Sequence, residues 1–226
     1  MNGKRVFYCE FAYAVGIVVL AVGTALMEKA DFGMSMVVAP AYLLHLKVSQ
    51  YLPFFSFGMA EYVFQAVLLG LLSLFMGRVK RGYVLSFVTA VIYGTVLDLA
   101  MAEAALLPLG GMAGRLVYYL AGLVICAVGV SFFFYTYLPP EAYELVVKEL
   151  SEKLRSSIGK TKTAYDCCSC ALGIGLSLAF FGGFVGVKWG TVVCAAVNGG
   201  LIGRISGRLE RTFTFKDGLP LRKILQ

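Results

Sequence analysis

The chain has 226 residues, of which 59% are hydrophobic and only 15% charged, with a mean hydropathy of +0.81. Water-soluble domains carry about a quarter charged residues, so this composition excludes a soluble protein and places the chain in a lipid bilayer. The net charge of +7 would suit nucleic acid, but the basic residues are sorted by side of the predicted spans rather than gathered on one face, so nucleic acid is not an expected partner.

Apolar runs long enough to cross a hydrocarbon core of ~30 Å, which takes about 20 helical residues, cover 6–27, 54–77, 82–101, 117–137, 164–182 and 189–205. They are continuously apolar, with no period of two, which predicts six helices rather than a barrel. Lys4 and Arg5 before the first run resemble the start of a signal peptide. A matching run begins at Val117, deep in the chain, so the first run is read as a retained span.

Between the first and second spans, Gly33-Met34-Ser35-Met36 leads to Pro40 and an uncharged stretch ending at His45 and Lys47. Between the fourth and fifth, Pro139 and Pro140 open a charged stretch through Glu141, Glu144, Lys148, Glu149, Glu152, Lys153 and Arg155. Proline suits a first helical turn, and Leu145, Val146, Leu150 and Leu154 share one face, so this stretch is expected as an amphipathic helix on the cytoplasmic surface. Its counterpart near Pro40 is expected at the outer leaflet.

The two halves repeat. A shift of about 106 positions lays Tyr13, Gly16, Val18, Ala21, Val22 and Gly23 on Tyr119, Gly122, Val124, Ala127, Val128 and Gly129, and Ala90, Val91 and Gly94 on Ala196, Val197 and Gly200. Three spans per copy force the copies to enter the membrane from opposite sides. The expected fold is therefore all-α, a polytopic membrane protein of six transmembrane helices as two inverted three-helix repeats. Repeat 1 covers 6–101, repeat 2 covers 115–206, and a basic tail over 207–226 completes a single membrane domain. With the N-terminus inside, Arg78, Lys80, Arg81, Lys148, Lys153, Arg155, Lys160, Lys162, Arg204, Arg208, Arg211, Lys216, Arg222 and Lys223 face the cytoplasm, and only Lys29, Lys47, Arg115 and Lys188 lie outside. The positive-inside rule then puts both termini in the cytoplasm.

Four segments carry a resemblance: Ala30-Asp31-Phe32-Gly33-Met34-Ser35, Tyr93-Gly94-Thr95-Val96-Leu97-Asp98, Ser157-Ile158-Gly159-Lys160 and Val185-Gly186-Val187-Lys188-Trp189-Gly190-Thr191. In their order and spacing the chain resembles the YczE/YitT-type bacterial integral membrane protein family. The resemblance implies a six-span fold with repeats, a bacterial cell (inner) membrane and a transport role. Met34, Met36 and Val37 stand where that family usually shows a fuller glycine and tryptophan pattern.

Ionisable groups within spans cost about 3 kcal/mol each at a helix centre, which makes them functional candidates. Glu61 and Asp98 fall in the outer third, where they either face each other and share a proton or cation, or each cap a helix. Gln65 and Asn198 fall near the midplane, where they either hydrogen-bond a polar solute or join two helices. These four form the expected solute or ion pathway. Asp166 and Arg204 fall at the inner boundary as a staple or inner gate. Cys167, Cys168 and Cys170 cluster in the fifth span without a histidine partner, and are read as small apolar fillers rather than a metal or redox site. No catalytic set, metal site or cofactor motif is found, so the chain is not expected to be an enzyme. The sequence points to a secondary transporter or permease for a small polar or cationic solute, with the lipid bilayer, that solute or ion and a second copy of the chain as partners. The alternative is a non-catalytic membrane accessory or scaffold protein assisting a biosynthetic or transport complex.

Overall fold

The computed structural model describes residues 5–156 and 158–219, with only the backbone of Ile158 and Gly159. Lys4, Ser157, Arg222 and Lys223 lie outside the described residues. The chain forms β1 (Arg5–Tyr8), α1 (Cys9–Ala30), α2 (Ala39–Val48), α3 (Phe57–Met76), α4 (Arg81–Ala105), α5 (Gly111–Phe133), α6 (Ala142–Lys153), α7 (Ile158–Phe181), α8 (Trp189–Thr212) and β2 (Phe213–Lys216). An order of long, short, long, long helix thus occurs twice.

Five helices, α1, α3, α4, α5 and Lys160–Phe181 of α7, are long and apolar enough to cross a membrane. The expected sixth span over 189–205 is helical. α8, however, is diluted by Asn198, by Gly190, Gly199, Gly200, Gly203 and Gly207, and by Arg204, and does not join the five on apolarity. Outward-facing Val67, Leu71, Leu74, Leu99 and Val117 stay exposed, as suits a surface solvated by lipid. The fold is all-α, with eight helices among the described residues and one short strand pair joining its two ends. β1 and β2 pair in parallel, Arg5 opposite Phe213 through Tyr8 opposite Lys216. Phe7 packs on Phe132, Phe213 and Phe215, and Tyr135 stacks on Phe215 at 4.6 Å. The Glu10 carboxylate accepts the backbone N–H groups of Gly218 and Leu219 and the Tyr137 hydroxyl. This clasp sets the start of α1 beside the end of α8.

At the centre, α1 and α5 cross antiparallel at backbone contact. A Cβ on Gly23 would meet Cys126 Sγ at 2.6 Å and Gly122 O at 2.9 Å, and a Cβ on Gly129 would meet Gly16 O at 3.0 Å. In lipid, where apolar burial offers little drive between helices, such close approach supplies the packing energy. α3 and α4 meet the same way at Gly58 and Gly94.

The two short helices begin inside the bundle. Pro40 sits in the first turn of α2 and Pro139-Pro140 precede α6, where a missing N–H removes no helical bond. Ala39 lies against Gly173 in the middle of α7, and α2 runs out to the α2–α3 turn. Ala142 N–H donates to Gln65 Oε1 in the middle of α3 at 3.0 Å, and α6 runs out to the α3–α4 turn at the opposite end. There, Lys80 pairs with Glu149 at 2.5 Å and the Tyr83 hydroxyl donates to Glu149. The expectation of α6 as a surface helix is therefore corrected: Ala142, Tyr143, Leu145, Val146, Val147 and Glu149 are buried against α3, α4 and α7. Its charges mislead because Lys80 and Tyr83 satisfy Glu149 within the fold, and a paired charge no longer needs the surface.

Overpacking a core ordinarily costs about 1–3 kcal/mol, and a backbone neighbour cannot move aside as a side chain can. Gly23→Ala is therefore expected to lower the melting temperature of the detergent-solubilised chain clearly. Gly199→Ala, where a Cβ meets nothing within 4 Å, should leave it unchanged. Equal effects in a thermal unfolding series would refute the crossing.

Candidate functional site

The inner ends of α2 and α6 meet near the middle of the bundle, where Met36 and Val37, just before α2, pack on Tyr143 in the first turn of α6, with Phe64 and Tyr165 around them. Against this junction α3 presents Glu61 and Gln65, one helical turn apart and both 0% exposed. Glu141, 2% exposed, is the residue before α6.

One amide ties the group together. Gln65 Nε2 donates to Glu61 Oε2 and to Glu141 Oε2, each at 3.2 Å, while its Oε1 accepts Ala142 N–H. The opposite amide orientation would set one donor against another, so the acceptor from Ala142 fixes the two donors toward the carboxyls. The Tyr143 hydroxyl donates to Glu61 Oε2 at 2.8 Å. The second oxygen of each carboxyl, Glu61 Oε1 and Glu141 Oε1, is buried without a hydrogen-bond partner. Among the described residues neither carboxyl pairs with a lysine or arginine. Burial, with Glu144 and Glu61 close by, pushes the Glu141 carboxyl well above the ordinary carboxylate range.

A second layer fixes the chain leading into α6. Ser86 Oγ donates to Pro140 O at 2.6 Å and Thr89 Oγ1 to Pro139 O at 3.0 Å, with the Tyr13 hydroxyl 2.5 Å from Thr89 Oγ1. Tyr93 and Thr24 share a hydrogen bond at 3.0 Å on the α1 side. Prolines at 139 and 140 leave both carbonyls as exit points for these hydroxyls, which satisfies backbone that would otherwise be orphaned at this depth.

The other expected site residues are dispersed. Asp98 accepts from Ser56 Oγ at 2.5 Å and from Gly58 N–H at 2.7 Å, and so caps the start of α3 rather than meeting Glu61. Gln65 and Asn198 do not meet. Asn198 sits on α8 in the stripe of Thr191, Cys194 and Ile202 that packs toward α5, with Oδ1 buried and unpartnered. Asp166 pairs with Lys162 on its own helix at 3.0 Å, and Arg204 is exposed on α8. Cys167 and Cys168 are exposed on α7, Cys170 is half-buried, and all three are free. The segments after α1 and before α8 interlock: Met34 N–H donates to Gly186 O, Gly190 N–H to Phe32 O, and Lys188 pairs with Asp31 at 2.6 Å. Gly33, at φ 108°, leaves no room for a Cβ beside Thr191.

Glu141 and Tyr143 escaped the sequence reading because their stretch looks like a surface helix. The available signal was positional: proline-interrupted short segments at Pro40 and Pro140 occupy matching places in the two halves, the mark of discontinuous helices.

A carboxyl raised on folding stabilises the fold fully below its ordinary value, here 4.5, and that contribution is lost as pH climbs through the raised value. Thermal stability in detergent should therefore fall from mildly acidic to alkaline pH, each tenfold of proton affinity being worth about 1.4 kcal/mol. Glu141→Gln should flatten that slope. A slope unchanged in the variant would refute the assignment.

No curated protein and no solved structure matches the chain. A family described as of unknown function, DUF6198, matches residues 7–207 and does not bear the YczE/YitT name. The match takes in every helix from α1 to most of α8, including both short helices and the carboxyl pair, and the chain belongs to this family of unknown function.

Proposed function

We propose that the chain is a secondary transporter for a small polar or cationic solute, working by alternating access between two inverted halves. The observation that carries this reading is an inequality between matched parts. Under the shift of about 106 positions, Gly16 and Gly23 correspond to Gly122 and Gly129. The contacts Gly16–Gly129 and Gly23–Gly122 then exchange with one another, as a two-fold axis through the crossing requires. α1 packs on α4 as α5 packs on α8, and α2 packs on α7 as α6 packs on α3. Two pairings break the match, both at α8: α3 and α4 close at Gly58 and Gly94 and α4 also packs on α6, whereas α8 touches α7, with Ala164 and Gly200 in the corresponding places, and α2 at most marginally. Two alike halves held in unlike states are what rocking about a central axis produces.

The clasp of β1 on β2 supports an even number of crossings, and so α8 as a sixth span beside the five apolar ones. We take the membrane to be a bacterial inner membrane with both termini cytoplasmic, from the sorting of basic residues and the resemblance to the YczE/YitT-type family. Glu61 and Gln65 mark the centre of the pathway, Asp98 its outer approach, Asn198 its α8 wall, and Asp166 and Arg204 its inner end. The protein acts without catalysing a reaction.

The test is a chain with its six native cysteines replaced and with Ala164→Cys and Gly200→Cys introduced. A short bifunctional thiol reagent should link the two positions in membranes, trapping a state in which α7 and α8 close. If they are never linked, α7 and α8 stay apart and the accessory or scaffold reading replaces transport.

A further inference from the structure

We infer that Glu61 and Glu141 form one exchange site at which a small monovalent inorganic cation replaces one of the two carboxyl protons. The inference rests on the transport reading only for what the exchange would drive; the binding itself stands on the geometry of the pair.

Two carboxyls share one amide donor, and neither has a basic partner among the described residues. The titratable groups facing them from the surrounding helices are Tyr13 on α1, Tyr93 on α4, Cys126 on α5, Tyr143 and Glu144 on α6 and Tyr165 on α7. None of these is a cation at neutral pH, and Lys162, the basic group closest to Glu144, is engaged by Asp166. Two bare carboxylates cannot stay buried this way. A proton or a cation has to be present.

The two oxygens left without partners decide which ligands fit. Gln65 Nε2 and the Tyr143 hydroxyl point hydrogens at the Oε2 atoms, which closes that side to a cation. Glu61 Oε1 and Glu141 Oε1 remain as free acceptors, buried and unmatched. A proton on each carboxyl leaves the pair neutral, and a monovalent cation in place of one of those protons keeps it neutral while giving the unpartnered oxygens a ligand. A singly charged cation replaces one proton without changing the net charge of the buried pair, which a divalent cation does not. An organic cation needs room that Met36, Val37, Phe64 and Tyr143 fill. The exchange balances: the cation enters, one of the two carboxyl protons leaves to water, the other stays, and the pair remains neutral.

The experiment uses the full chain in detergent, weakly buffered with a large organic base, with a pH indicator reporting release on addition of NaCl, KCl or LiCl. At least one of these salts should release roughly one proton per chain, and Glu61→Gln and Glu141→Gln should each abolish the release. Tyr143→Phe removes a hydrogen bond that favours the ionised Glu61, so it should need several-fold more cation for half release while folding normally; a purely structural tyrosine would not move that midpoint. Proton release without any cation-dependent flux in reconstituted vesicles supports the exchange site and overturns the transport reading. No release by any of the three salts between mildly acidic and alkaline pH, in a chain that is folded, overturns the exchange site.

Discussion

Everything in this structure hangs from the approach of α1 to α5. Glycines at positions 16, 23, 122 and 129 let two backbones touch where a single methyl group would collide with a carbonyl or with Cys126. Inside a membrane the hydrophobic effect contributes little between helices, and contact area with small residues takes its place. α4 lies along α1 and α8 along α5, so the crossing sets the position of both outer helices. It also leaves space on either side into which a short helix can insert.

That space is filled by α2 and α6, and their insertion creates the second constraint. A helix that starts at mid-depth exposes unpaired N–H groups and the chain before it exposes carbonyls, and lipid satisfies neither. Gln65, Ser86 and Thr89 meet those needs for α6. The helix N-terminus favours negative charge, and Glu141 sits there with Glu61 opposite. The polar interior follows from breaking the helix, and among the described side chains of the junction the two carboxyl oxygens Glu61 Oε1 and Glu141 Oε1 are left without a partner.

Five of the six expected spans were legible because apolarity over a helical length is short-range composition. Gly16 and Gly23 were legible as recurring at Gly122 and Gly129, but that these glycines meet across α1 and α5 was not. Glu61 and Gln65 were legible as polar residues in an apolar run. Glu141 was hidden by its neighbours: of the charges that suggested a water-facing helix, Glu149 is paired by Lys80 and hydrogen-bonded by Tyr83 from another part of the chain. Asp98 was legible as either a partner for Glu61 at the same depth or a helix cap, and Ser56 and Gly58 hold it in the capping role at the start of α3. Pairing across distant segments is tertiary information that spacing alone does not carry. The clasp of β1 and β2 was missed for the same reason: its strands are only four residues each and lie at opposite ends of the sequence.

We propose that the two halves cross the membrane in opposite senses about the α1–α5 crossing. The most direct measurement is sidedness at the outer ends of the two short helices. In a cysteine-free background, Gln50→Cys after α2 and Ser156→Cys after α6 are labelled in intact cells with a membrane-impermeant maleimide. The inverted arrangement predicts labelling at 50 without permeabilisation and at 156 only after it. Labelling of both positions from the same side would contradict the inversion, and with it the alternating-access reading.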